Sequence, residues 1–279
     1  MTLVSYTDPP RAGLAVKVDT SDRVRLLPKN ALPGQTVLGP VLVLVLWYIA
    51  SSLNWISPAK LPGPAIVLDS FAELAASGVL ASDLLMSLQR AMIGLSLGVS
   101  LGFVLAVIAG LSRVGDALID GNVQVKRAIP NLALIPLFII WLGIGEGARV
   151  VLVFASAVFG IVVSTEAGVK NVDERLIETA RSFTGTEWEI LWKIVMPASI
   201  PYIIAGMRLT VARVLIMVVV AELYGSTAGI GYLIFQAGAG YDTSMIFVGV
   251  VILAAAGIIL NSLLRLLERS VAPWQAAHK

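Results

Sequence analysis

No cysteine occurs among the 279 residues, which excludes disulfides, thiolate nucleophiles and cysteine-ligated metal or iron–sulfur centres. Histidine is almost as scarce: the single one, His278, is the penultimate residue, so histidine catalysis has no candidate in the body of the chain. Charge is sparse as well, at 14% against about 25% in soluble domains. The 20 basic and 18 acidic residues leave a net charge of +2, too little for a nucleic-acid footprint, and no nucleic-acid partner is expected. What is present is apolar: 57% of residues are hydrophobic and the mean hydropathy is +0.88. That excludes a disordered chain and an ordinary water-soluble enzyme. An all-α, multi-pass membrane protein remains.

A spanning helix needs about 20 mostly apolar residues. Six stretches read as spans, at about Thr36–Leu53, Leu84–Leu111, Ala128–Leu142, Arg149–Gly168, Tyr202–Leu223 and Ser244–Leu267. Together they make one membrane domain over residues 36–267. A polar N-terminal tail (1–35) precedes it and a short tail (268–279) follows. The N-terminal apolar run starts too late for a signal peptide, and no cleavage pattern follows it. Pro58, Pro62 and Pro64 block continuous helix after the first span, and Pro130 and Pro136 interrupt the third. Between the fifth and sixth lies an apolar stretch rich in glycine (Gly225, Gly229, Gly231, Gly238, Gly240). It is too irregular to span and suits a re-entrant or surface-lying segment.

Lysine and arginine in short loops set orientation. One side holds Arg11, Lys17, Arg23, Arg25, Lys29, Arg113, Lys126, Arg127, Lys170, Arg175, Arg181, Lys193, Arg265, Arg269 and Lys279; the other holds Lys60, Arg90 and Arg149. Fifteen against three places both termini and the long loop at 169–197 in the cytoplasm. Trp47, Tyr48 and Trp55 read as interfacial anchors of the first span.

The loop contains DERLIETARSFTGTEWEILWKIVMP, from Asp173 to Pro197. Leu176, Ala180 and Phe183 recur at helical spacing with Ile177 beside them, which predicts an amphipathic helix. Gly185 breaks it, and a second short helix from Glu187 to Ile194 is expected to end at Pro197. Such a helix–glycine–helix unit offers a knob to a partner protein; an ordinary solvated loop is the plain alternative.

Glu178-Thr179-Ala180, a glycine, then Ile194 and Met196-Pro197 resemble the EAA loop of binding-protein-dependent ABC importer permeases. That motif runs Glu-Ala-Ala, three residues, Gly, nine residues, Ile-x-Leu-Pro. The spacing from Glu178 to Pro197 agrees, with two departures. The family glycine falls at Thr184 whereas this chain has Gly185, and Met196 replaces leucine. The stretch from Gly206 to Leu223, the run from Ser226 to Ile234, and Leu61-Pro62-Gly63-Pro64 are similar to the nitrate/sulfonate/taurine branch of these permeases. The resemblance covers about Leu38 to Leu267.

The resemblance implies a type I ABC importer permease with six transmembrane helices and both termini cytoplasmic, in a bacterial inner membrane. It implies pairing with a second copy, two cytoplasmic ATPases docked on the loop, and a periplasmic or lipid-anchored solute-binding protein. Glu178, Thr179, Ala180, Thr184, Gly185, Ile194 and Pro197 would form the ATPase-coupling surface. The solute would be small, of the nitrate, sulfonate or taurine kind. No cofactor belongs to this chain, because ATP and Mg would bind the partner ATPase. The residues agree: a P-loop needs Gly before Lys, and the seven lysines follow Val16, Pro28, Ala59, Val125, Val169, Trp192 and His278.

Charges inside a span are costly and make candidate sites. Arg208, Arg213 and Glu222 lie on the fifth span. Arg208, about 9 Å from the cytoplasmic end, can snorkel out, whereas Arg213 is about 16 Å deep. Arg213 is read as a pathway residue for an anion or as half of a pair with Glu166 or Glu222. Glu222 is a candidate for a gate or pathway role. Asn131, beside Pro130, is a further pathway candidate and alternatively satisfies carbonyls freed by the kinks. Gly94, Gly98 and Gly102 form overlapping G-x-x-x-G steps, the spacing for close helix packing.

Two other classes compete. A secondary transporter or channel would need no ATPase, but secondary carriers commonly have two related halves, and none is found. A membrane enzyme would need a Ser/His/Asp, histidine-cluster or paired-carboxylate constellation, and none is present.

Overall fold

The computed structural model describes residues 35–111, 113–183 and 186–271. The tail read over 1–35 (bar its last residue), the loop residues Thr184 and Gly185, and the segment after Val271 lie outside the described residues. Every regular element described is helical.

Helix α1 (Gln35–Ser52) is apolar over Val37–Ser52, shorter than a full span. The short α2 (Pro64–Ala76) starts at a proline in the position helices favour. Four long apolar segments are able to cross a membrane: Val79–Ala109 in α3 (Val79–Leu111), Glu146–Lys170 (α6), Glu187–Leu223, and Thr243–Glu268 in α11 (Thr243–Val271).

The span expected at Ala128–Leu142 is different. Helix α4 (Arg113–Ala128) stops before Pro130, and Ala117–Lys126 and Asn131–Leu142 meet at 91°. Proline pushes its predecessor out of the helical region, and Pro130 itself is extended (ψ 130°). A single 3-10 turn (Asn131–Leu134) then leads into α5 (Ile135–Leu142). Pro136 falls in the first turn of α5, where its missing N–H costs no bond. It starts a helix rather than kinking one.

A second correction concerns Pro197. After α7 (Glu174–Phe183) and α8 (Glu187–Ile190) the chain stays helical through a π turn (Leu191–Val195) into α9 (Met196–Leu223). In the π turn hydrogen bonds run one residue further, and the Met196 N–H bonds the Leu191 carbonyl. Pro197 therefore begins α9 and ends nothing.

Helices α3, α6 and α9 form the core. Gly94, Gly98 and Gly102 press α3 against α6 within one chain. A Cβ at Gly94 would lie 2.5 Å from the Val153 side chain, and one at Gly102 would lie 2.9 Å from the Val158 carbonyl. Gly160 meets Thr210 and Gly168 meets Tyr202, so α9 runs antiparallel against α6. Ala91, Leu152, Val153, Ala157, Val214, Met217 and Val218 fill the seam. Helix α10 (Ile230–Ala239) packs on α9 and α11, with Ile234 against Gly249. Asp242 caps α11, accepting from the Ser244 hydroxyl (2.7 Å) and the Met245 N–H (3.1 Å). The Ser244 contact holds its carboxyl below the ordinary aspartate range, against a smaller opposing effect of burial.

Candidate functional site

The loop and the opposite end of the bundle carry the chemistry. At the end remote from the loop, α3 presents Asp83, Ser87 and Arg90 at i, i+4 and i+7, one helical face. All three are buried, as are Arg149 on α6 and Glu222 on α9. The Glu222 carboxylate receives the Ser87 hydroxyl (2.7 and 2.9 Å), Arg90 Nη1 (2.7 Å) and the Gly231 N–H (2.8 Å). Arg90 also donates to the Ala228 carbonyl (2.7 Å) and forks onto Glu146 through Nε (2.8 Å) and Nη2 (2.7 Å). Arg149 Nη1 reaches the same Glu146 carboxylate (2.6 Å), and its Nη2 donates to the Gly225 carbonyl.

This network fixes the glycine-rich turn and orients α10. The first N–H groups of a helix lack partners within it. Here the Gly229, Ile230 and Gly231 N–H groups go to Asp83 Oδ1 (2.9 Å), Ser87 Oγ (2.8 Å) and Glu222 Oε2 (2.8 Å). Gly229 has φ +121°, and a Cβ there would collide with the Glu222 carboxylate; one at Gly231 would lie 2.6 Å from the Val219 carbonyl. Only glycine allows the turn to approach a buried carboxylate so closely. Side chains thus occupy these three donors at the start of α10. Glu222, read as a gate or pathway candidate, is buried within this network.

Arg213 falls elsewhere. It is exposed on α9, near the exposed apolar residues Leu209 and Ile216. The pairing considered for it does not occur among the described residues: Glu166 bonds Lys170 (2.8 Å) and Glu222 bonds Arg90. Arg208 pairs with Glu268 on α11. Asn131 accepts from Lys126 Nζ and donates to Ser156 (3.4 Å). The Lys126 carbonyl, which Pro130 deprives of its helical donor, accepts from the Ile129 N–H (3.2 Å), and the Ile129 carbonyl accepts from Lys126 Nζ (3.4 Å), neither from Asn131.

On the loop, Ala180 and half-buried Ile177 pack with Ile190, Leu191, Val195, Met196 and Ile194. Leu176 and Phe183 point outward, Phe183 at 85% exposure. The packed stripe is therefore narrower than the spacing predicted. Glu178 and Thr179 are exposed. Trp188 and Trp192 form an exposed edge-to-face pair with centroids 5.6 Å apart. Arg181 and Glu187 bridge α7 and α8 (3.1 and 3.3 Å). Thr184 and Gly185, expected at the turn, lie outside the described residues. Pro197 is half-buried where α9 begins.

Residues 98–273 match the family described as "Binding-protein-dependent transport system inner membrane component". The chain belongs to that family. A permease protein of Escherichia coli strain K12, named SsuC for aliphatic sulfonates transport, is 38% identical over 239 residues, covering 86% of this chain and 91% of its own. The taurine transport system permease protein TauC of the same strain is 31% identical over 237 residues, covering 83% and 86%. A solved structure of the MetNI methionine ABC transporter in an inward-facing conformation superposes with a TM-score of 0.53 at 23% identity. It covers 67% of this chain and 91% of that one, and it speaks for the fold. The chain is a multi-pass ABC transporter permease.

In the sequence Arg90 and Arg149 serve only to set orientation, and Asp83, Ser87 and Glu146 do not stand out as candidates. The signal was available: three polar residues on one face of an apolar span, and Glu146 with Arg149 at i, i+3 on the first turn of another.

Proposed function

We propose that this chain is one of two identical permease subunits of a bacterial importer, six-spanning, with both termini in the cytoplasm. Two ATPases, which bind ATP and Mg, drive it from the loop side, and a solute-binding protein feeds it from the other. The observation that carries this reading is the loop. Two short helices held together by Arg181–Glu187 leave Glu178, Phe183, Trp188 and Trp192 uncovered in one segment. Exposed aromatics at such density mark a docking surface, and their place in the chain agrees with the EAA resemblance. The exposed stripe Tyr202–Leu209–Ile216, with Ala205 and Ala212 between, recurs every seven residues on α9 and suits a second copy of the same helix.

The solute is a small oxyanion of the sulfonate, taurine or nitrate kind, in keeping with what SsuC and TauC are named for. Arg213 supports this. An arginine at mid-span costs about 2.5–3.5 kcal/mol on insertion scales, and within the described residues no carboxylate neutralises it. Facing the second copy across the dimer axis, it would lend the pathway positive potential.

Co-purification tests the assembly. Expressed with its ATPase, the chain is expected to form a complex of two permeases and two ATPases by native mass spectrometry. Glu178→Lys should weaken ATPase retention while the permease still inserts and dimerises. A complex with a single permease, or full ATPase retention by the variant, would overturn the assignment.

A further inference from the structure

One member of the buried network reaches solvent. The Glu146 side chain is 54% exposed, whereas those of Arg90 and Arg149 are 4% and 8% exposed. Its carboxylate collects three N–H groups, a fork from Arg90 and one from Arg149. Guanidinium forks match the oxygens of carboxylates and phosphates, and a sulfonate or nitrate presents oxygens in the same way. Glu146 is thus a carboxylate occupying a two-arginine cradle.

Four observations make that cradle separable from its occupant. Gly143, Gly145 and Gly147 surround Glu146, and a Cβ at any of them would meet nothing within 4 Å, so the side chain has space to swing out. The arginines stay anchored without it: Arg90 by Glu222 and the Ala228 carbonyl, Arg149 by the Gly225 carbonyl. Arg149 Nε, moreover, is buried with no partner, a donor in reserve. A crevice of about 10 Å³ is lined by Gly145, Ala148, Arg149, Leu152 and Tyr224, room for about one water.

The geometry points to an oxyanion-receiving site at this end of the permease, where Arg90 and Arg149 take the oxygens of a small monovalent oxyanion and the Glu146 carboxylate is its resident competitor. Exchanging one monovalent anion for another leaves the charge of the buried cluster unchanged, so no guanidinium is stranded. A neutral ligand would strand charge and a divalent one would add it. The inference rests on the reading above, that the solute is an oxyanion arriving from the side opposite the loop.

The test is a calorimetric titration of the full-length permease in nanodiscs with methanesulfonate, at constant ionic strength, with dimethyl sulfone as the neutral control. Wild type should bind methanesulfonate saturably and ignore the sulfone. Glu146→Gln removes the competitor and should tighten Kd about tenfold, which is about 1.4 kcal/mol. Arg149→Lys, which keeps the charge and loses the fork, should weaken binding at least tenfold and remains informative should the glutamine variant not fold. No saturable binding by folded wild type, or the same Kd in Arg149→Lys as in wild type, would overturn the site. Binding without ATP-driven sulfonate uptake would remove the substrate reading and support the site. Uptake without binding would do the reverse.

Discussion

Replacing Glu222 by glutamine changes one oxygen to an amide and little else in shape, yet the network predicts a large loss. Both carboxylate oxygens face donors: Oε1 receives Arg90 Nη1 and the Ser87 hydroxyl, and Oε2 receives the Gly231 N–H and the same hydroxyl. Whichever way a glutamine is turned, its NH2 group meets a donor. If it faces Gly231, a buried backbone N–H is orphaned, at about 1–3 kcal/mol. If it faces Arg90, a charge-assisted bond of about 1.5–3 kcal/mol is lost. In both cases Arg90 loses one of its two carboxylates in a buried site. Breaking a buried pair by removing one partner typically costs about 3–5 kcal/mol, and Glu222→Gln should fall in that range. Thermal and denaturant unfolding in detergent, compared with wild type, measures it. A second arm separates charge from packing: replacing Arg90 and Glu222 together by methionine should cost less than Glu222→Gln alone, because no charge is stranded. A Glu222→Gln loss under about 1 kcal/mol, or a double variant worse than the single, would refute the reasoning.

Two further outcomes follow from the packing and the exposed arginine. Gly98→Leu drives a side chain into Ala157 on α6 and should lower unfolding stability by at least about 1–3 kcal/mol, whereas Gly121→Ala, whose Cβ meets nothing within 4 Å, should leave it unchanged or slightly improved; equal effects would contradict the close α3–α6 approach. Arg213→Gln should depress solute uptake while leaving dimer stability and basal ATP hydrolysis near wild type, with Arg213→Lys retaining part of the uptake if potential alone matters; dissociation of the dimer in either variant would make Arg213 structural.

The four long apolar helices were legible because hydrocarbon demands unbroken apolar runs, and such runs survive any tertiary arrangement. The corner at Pro130 was not, because proline marks a break without specifying its angle; here the restart through Asn131–Leu134 turns the chain by 91°. Pro197 misled for a related reason. A proline in the first turn of a helix is tolerated, and here the π turn leads straight into that first turn, so the helix runs on. The glycine steps of α3 were readable as packing, since small residues have one strong use between helices, but only the structure names α6 as the partner. The ion network was the least visible part. Asp83 and Arg90, Glu146 and Arg149, and Glu222 come from three helices far apart in sequence, and each group alone reads as charges near a span end. Their convergence, four of them buried and Glu146 reaching solvent, depends on the α3–α6–α9 register, which no local pattern encodes.

The most direct test of the account is ATP-driven uptake by the permease reconstituted in proteoliposomes with its ATPase and binding protein. Labelled taurine, methanesulfonate and nitrate would be offered singly and in competition with neutral analogues. The account predicts uptake that requires ATP, is competed by at least one of these oxyanions and not by neutral analogues, and falls when Glu178→Lys is introduced in the loop. Uptake that proceeds down a solute gradient without ATP, or that the neutral analogues compete equally well, would contradict it.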